Sequence, residues 1–477
     1  MKCILPALFA AAIVVADVGV AISQDKPNIL WIVADDLGPD LGCYGNDLVY
    51  TPNLDRLASQ GMKFTGMFTS TPVCSVSRSA LITGMYPATI DCHQHRKQYK
   101  DSLPDGVKPV TEYFREAGYF VTNKGKTDYN FTHDRNEMYD GTDWSQRKEG
   151  QPFFAQIQIA LPHRPFQRDP EHPIDPDRVK IAPYYPDHKI SRKDWALYLE
   201  TVQQMDKQVG AVLDRLDKEG LSENTIVFFF GDQGRPHVRE KQFLYDGGLN
   251  TPLIVRWPNK IKPGTSSGRL VSSVDLAPTS LKAAGIEVPA HMHGYDIFGK
   301  KAREYVFASR DRMDETVDRI RAVRSDRYKY IRNFYPERPY TQFNAYKKHS
   351  YPTLTLMQVL HKRGELTPEQ AFFMAPQRPA EELYDLKNDP FEVNNLAGIK
   401  ETAKIQKRLS NALDDWLSAY DPGQYPEDPS EIEYAQKLME RLFEQEMNKK
   451  GLSPDISDEA FLEYWEKYLF GEEKANP

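Results

Sequence analysis

The sequence predicts an α/β fold: a doubly wound, mainly parallel sheet, followed by a smaller C-terminal α+β domain carrying a short antiparallel sheet. Three observations predict it. Four short apolar runs are each followed at once by polar residues, helical periodicities lie between them, and the pattern turns to strict alternation beyond residue 310. Short apolar runs bounded by turn residues mark strands buried on both faces. Strands that alternate with helices build a parallel sheet with helices on either side.

Taken in order, the run 28–33 leads into Asp35-Asp36, and 118–122 leads to Lys124 and Lys126. The run 153–161 is followed by Pro162-His163-Arg164, and 225–230 ends at Gly231-Asp232-Gln233. Helical patterns cover 109–117 and 194–216. In doubly wound sheets the ligand site lies beyond the carboxyl ends of the strands. All four polar groups fall there. Farther on, 322–331 alternates like one half-buried antiparallel strand, and 382–386 reads as another, with a turn at Asp389-Pro390. Residues 402–420 and 429–448 are amphipathic helical patterns, and the Pro- and acid-rich stretch 421–430 reads as a surface linker. The expected organisation is an export signal at 1–23, a catalytic domain at 24–310, a C-terminal subdomain at 311–422 and a helical extension at 423–477.

The export signal rests on Lys2, an apolar stretch at 4–16 and the small residues Ala21-Ile22-Ser23 before Gln24. The apolar stretch is shorter than the ~20 residues a membrane span needs, and Asp17 interrupts it. A secreted or periplasmic protein without a membrane span is expected. Once Cys3 leaves with the signal, Cys43, Cys74 and Cys92 remain, an odd set with at least one unpaired thiol. A Cys43–Cys92 disulfide stays open at this level. The net charge of −7 argues against a general nucleic-acid binder, which needs a basic surface. It leaves room for a local basic pocket that takes an anion.

The most informative segment is 71–84. Its helical pattern runs from Ser75 up to Gly84, which places Cys74 at a helix N-terminus, where free N–H groups favour negative charge. Arg78, four residues on, shares that face. In isolation this is equally a small buried cysteine beside a solvated arginine. The adjacent carboxylates of Asp35 and Asp36 repel each other unless a cation joins them. With Asp232 and the amide oxygen of Gln233 they offer an all-oxygen shell, which suits Ca²⁺ first and Mg²⁺ second.

Cys74-x-x-x-Arg78 followed by Thr83-Gly84 resembles the signature of the type I, formylglycine-dependent sulfatases of the alkaline phosphatase superfamily. The paired aspartates, Gly125-Lys126, His163 with Pro165-Phe166, Gly231-Asp232-Gln233-Gly234 and Lys241 follow in the family's order. Glu382-Leu-Tyr-Asp-Leu386 and Asn395-Leu396 are similar to its C-terminal domain, and the local wording is closest to iduronate-2-sulfatases and heparan N-sulfatases. The resemblance implies that a formylglycine-generating enzyme oxidises Cys74 to formylglycine, whose hydrate attacks the sulfur of a sulfated carbohydrate. It implies catalytic roles for Cys74, Arg78, Lys126, His163 and Lys241, with His163 giving a proton to the departing alcohol. The metal would be held by Asp35, Asp36, Asp232, Gln233 and residue 74. Substrate-binding candidates are His93, His95 and Arg96, from local composition, with Asp128, Arg164 and His237.

Three positions depart from the family pattern. Val76 stands where Pro or Ala is usual, Gln233 where Asn or His is usual, and Asp128 where a histidine follows Gly-Lys. Competing expectations are an N-sulfoglucosamine sulfohydrolase, a formylglycine phosphonate or phosphate monoesterase, and a non-catalytic binder of sulfated glycans.

Overall fold

In the computed structural model, residues 26–421 and 427–471 are described; the expected export signal lies outside them. The four apolar runs form β1 (Asn28–Ala34), β3 (Phe120–Asn123), β4 (Phe153–Ile159) and β5 (Thr225–Gly231). With β2 (Met62–Phe68), β6 (Leu253–Arg256) and β7 (Thr265–Ser272) they make a seven-stranded sheet of order β3-β4-β1-β5-β6-β2-β7. All neighbours run parallel except β6, which is antiparallel to both β5 and β2.

Alternate residues of β1 serve two cores. Ile29, Trp31 and Val33 join Phe154, Phe228 and Phe230 on one face, while Leu30, Ile32 and Ala34 join Phe153, Val227 and Phe229 on the other. Each such fully buried large side chain contributes about 1.5–3 kcal/mol, and no β1 residue is left to face water. Trp31 packs edge-on against Phe154 and Phe230 at 5.2 and 5.5 Å, and its Nε1–H donates to Ser280 Oγ at 2.9 Å. Cys43 packs with one core and Cys92 lies in the other, on opposite sheet faces, and both are free thiols.

The helix expected at 194–216 is longer, Lys189–Lys218, because the His188 ring accepts from the Ile190 N–H and caps an extra N-terminal turn. The stretch 322–331 is not one strand. It is a hairpin of β9 (Ile320–Arg324) and β10 (Tyr328–Asn333). The Ser325 N–H donates to the Tyr328 carbonyl at 2.8 Å and its hydroxyl accepts from the Tyr328 N–H at 2.9 Å, which closes a turn over Asp326 and Arg327. Alternation alone hid the turn, since both strands keep the same period. With β8 (Val306–Arg310) and β11 (Glu381–Asp385) these strands form an antiparallel sheet of order β11-β10-β9-β8, so the second sheet takes its first strand from residues ahead of 310.

The linker expected at 421–430 is also corrected where it is described. Asp421 is buried and accepts from Arg321 Nε at 2.6 Å, Glu427 accepts from Arg312 Nε at 2.8 Å, and Pro429 already opens a helix. Acidic composition marks a solvated loop only where no buried arginine claims the charge. Helices Ala403–Tyr420, Pro429–Lys449 and Asp458–Phe470 complete the C-terminal part. Among the described residues, no helix is long and apolar enough to cross a membrane.

Candidate active site

The site is built by strand register. Ala34 of β1 lies beside Gly231 of β5 and beside Ile159 of β4, so the chain leaves all three strands at the same level. Asp35 and Asp36 then emerge next to Asp232 and Gln233. The Asp232 N–H donates to the Ala34 carbonyl, and the Asp36 N–H to Asp232 Oδ1, both at 3.0 Å. Asp36 takes the left-handed conformation at φ 64°, which an aspartate tolerates at a cost of ~1–2 kcal/mol.

The helix Cys74–Thr83 points its N-terminus at this cluster. Val73 is extended and no side chain caps the first turn, so the free N–H end is left for the site. Gly84 ends the helix at φ 67°, and its N–H donates to the Ala80 carbonyl, the left-handed stop glycine favours. Every residue of the helix is buried, and Val76 packs with Val73 and Met313.

Cys74 Sγ lies 3.5 Å from Asp35 Oδ1, 3.2 Å from Gln233 Nε2 and 3.6 Å from Lys241 Nζ. Lys241 is itself buried and donates to both Asp36 oxygens at 2.9 and 2.7 Å. Lys126 donates to Asp35 Oδ2 at 2.8 Å, and Arg78 donates to Asp232 at 3.0 Å and to Gln158 Oε1 at 2.7 Å. His163 Nδ1 is 2.6 Å from the Arg164 carbonyl, so that nitrogen carries the proton, and Nε2 faces Asp36 at 3.7 Å and Tyr346 Oη at 3.3 Å.

Charge follows from this packing. Burial would raise the Asp35 carboxyl, but Lys126, Arg78, His163 and Lys241 hold it well below the usual range. Burial and the neighbouring Asp35 push Asp232 up to about 7, against the pull of Arg78. Burial, with Asp35, pushes the Cys74 thiol up to about 12, so an unmodified Cys74 stays protonated at neutral pH and is a poor nucleophile. Burial lowers His163, and the Lys241 ammonium lowers it further, against Asp36 and Asp35.

The ligand atoms of Asp35, Asp36 and Cys74 lie within 4.8 Å of one another. Gln233 Oε1 is buried without a hydrogen-bond partner, while its Nε2 faces Asp36 and Cys74. A buried, unpartnered amide oxygen on a side chain that sits against Asp36 fits a hard cation with oxygen ligands.

The nine residues Asp35, Asp36, Cys74, Arg78, Lys126, His163, Asp232, Gln233 and Lys241 are therefore gathered at one point. Arg96 and Asp128 stand at the rim. Both are left-handed at φ 53°, the Arg96 Nη2 donates to Asp128 at 3.1 Å, and Asp128 lies 3.7 Å from Lys126. His95 is buried behind the helix start, its Nδ1 2.7 Å from Ser75 Oγ and its Nε2 3.4 Å from Asp314. His93 is buried 3.6 Å from Asp91. Arg164 and His237 turn elsewhere: Arg164 grips Asp194 with two 2.7 Å hydrogen bonds, and His237 stacks on Trp195 at 4.2 Å.

Sequence reasoning missed Gln158 and Tyr346. Gln158 had a signal, a polar side chain inside the apolar run of β4. Tyr346 had none, because it arrives from the helix Ala345–Ser350, far along the chain.

The sulfatase family matches residues 27–286, and the N-sulphoglucosamine sulphohydrolase C-terminal family matches residues 234–362. An ulvan-active sulfatase of Formosa agariphila is 36% identical over 83% of this chain and 75% of its own length. The human N-sulphoglucosamine sulphohydrolase is 27% identical over 88% of this chain and 95% of its own. A solved structure of a protein in complex with its substrate D-glucosamine-2-N,6-O-disulfate shares the fold, with a TM-score of 0.65 at 19% identity, over 84% of this chain and 99% of the other.

Proposed function

The chain belongs to the sulfatase family and is a sulfuric ester hydrolase, and from that premise we propose that it removes sulfate from a sulfated carbohydrate, secreted or in the periplasm, through a formylglycine made from Cys74. The maturation partner would be a formylglycine-generating enzyme. The observation that carries the reading is the convergence on Cys74 Sγ of Asp35, Gln233 and Lys241, all within 3.6 Å at a helix N-terminus without a side-chain cap. A thiol pushed up to about 12 is unsuited to attack sulfur itself, which supports its conversion.

Asp35, Asp36, Asp232 and Gln233 would hold a Ca²⁺ ion, with Mg²⁺ the second choice, beside the oxygen of residue 74. Bound there, the cation would lower the charge on the sulfate oxygens and favour ionisation of the hydrated aldehyde, whose oxygen is the nucleophile toward sulfur. Arg78, Lys126 and Lys241 supply preorganised positive charge for the sulfate oxygens, and Gln158 keeps the Arg78 guanidinium in place. His163 presents Nε2 to the reaction centre because Nδ1 is tied to the Arg164 carbonyl. When protonated, the ring gives its Nε2 proton to the departing alcohol oxygen.

Cleavage of an N-sulfate is the second reading, supported by the family match over 234–362. Sulfate release from ulvan-derived and from N-sulfated glucosamine oligosaccharides tests both, with Cys74→Ala as the control. Release by the wild type alone, from either series, upholds a sulfatase and chooses the bond. Equal release by Cys74→Ala, or release from neither series, would end the proposal.

A further inference from the structure

A cleft of about 550 Å³ lies between the loop at Arg164–Phe166, the helix Lys189–Lys218 and the last helix, Asp458–Phe470, and Tyr346 joins it to the reaction centre. That volume is in the ~300–1,000 Å³ range of small-ligand sites. Its far wall carries Tyr464, Trp465 and Tyr468, with Tyr464 and Tyr468 stacked at 6.1 Å and Trp465 edge-on to Tyr468 at 5.6 Å. Tyr468 is 57% exposed. Trp465 is buried, yet its Nε1–H has no hydrogen-bond partner. Lys450 adds a cation: Lys449 is already matched by Glu446 at 2.6 Å, and Arg164 by Asp194, which leaves the half-buried Lys450 ammonium as the surplus positive charge of the lining.

The near wall is Tyr346, which the cleft shares with the reaction centre. Its hydroxyl lies 3.3 Å from His163 Nε2, and Lys241 Nζ sits 5.2 Å from its ring centroid. The aromatic wall is held rigidly against it. Trp465 and Phe461 pack in one cluster with Ala345, Met439 and Met447, so the C-terminal extension is seated on the helix that bears Tyr346. This extension lies beyond both stretches matched by the family comparisons.

We propose that this cleft binds a second sugar residue of the substrate, one bearing a carboxylate or sulfate, and so selects oligosaccharides over monosaccharides. The inference rests on the sulfatase reading, because it takes His163 as the group that faces the leaving alcohol. Because Tyr346 both lines the cleft and lies 3.3 Å from His163, the residue next to the departing sugar would enter the cleft past that ring. There the exposed ring of Tyr468 meets the apolar face of a pyranose, and Lys450 meets the anionic substituent.

The test compares kcat/KM for Tyr468→Ala and Lys450→Ala on a sulfated tetrasaccharide and on the matching sulfated monosaccharide, in whichever series, ulvan-derived or N-sulfated, the wild type desulfates. Tyr468 and Lys450 belong to none of the buried hydrophobic clusters, so neither variant removes core packing. Each should lose about tenfold on the tetrasaccharide, through KM, and several-fold less on the monosaccharide. Titration of Cys74→Ala protein with the tetrasaccharide should show the same weakening when Lys450→Ala is added. Equal losses on both substrates, or no loss on the tetrasaccharide, would overturn the second-sugar site while leaving the sulfatase standing. A wild type that desulfates neither substrate would overturn the sulfatase reading, and the cleft assignment with it.

Discussion

The backbone N–H of Asp36 donates to Oδ1 of Asp232 at 3.0 Å, joining two residues 196 positions apart. This bond ties the end of β1 to the end of β5 and holds three carboxylates at one point, which a divalent cation would stabilise. Asp35→Asn should therefore abolish sulfate release and also remove a calcium response in melting experiments. For the wild type, calcium at a hundred times its Kd should add ~2.7 kcal/mol of stability. A melting temperature indifferent to calcium and to chelator would count against the cation site.

Gln158 positions Arg78 through a 2.7 Å hydrogen bond, and Arg78 in turn grips Asp232. Gln158→Leu keeps the side-chain volume but drops the acceptor. It should lower kcat roughly tenfold, the ~1.5 kcal/mol of one hydrogen bond to a charged group, with a smaller change in KM. A change in KM alone would place Gln158 in ground-state binding instead.

The Arg164–Asp194 pair is structural, and its acid response follows with a definite sign. Burial would raise the Asp194 carboxyl, but Arg164, with His237, brings it down to about 2. A depressed carboxylate contributes stability above its unfolded value of ~3.9 and loses it as the pH falls through about 2. Asp194→Asn leaves Arg164 buried without its counter-ion and should cost about 3–5 kcal/mol at pH 7 in denaturant titrations. The gap between variant and wild type should narrow as the pH drops below ~3.9. A gap that widens in acid would contradict this account.

Much of the site was legible because the fold writes it locally. A parallel strand buried on both faces is an unbroken apolar run, so the polar residue that ends it stands out, as at Asp35, His163 and Asp232. The start of the helix at Cys74 was legible for a similar reason, with Gly84 marking its end. What long-range packing decides was not legible. Tyr346 comes to His163 from a different part of the chain, Asp421 disappears into a salt bridge with Arg321, and the turn at Asp326-Arg327 leaves the alternation around it unchanged. Arg164 looked like a site residue beside His163, yet its guanidinium turns away to Asp194, a direction that a one-residue spacing does not encode.

The most direct measurement is peptide mass spectrometry across residue 74 on protein that releases sulfate, made in its native host. The account predicts an aldehyde in place of the Cys74 thiol, in a fraction that rises with specific activity across preparations, and no turnover from Cys74→Ala. Fully active protein that carries only the unmodified Cys74 thiol would contradict it.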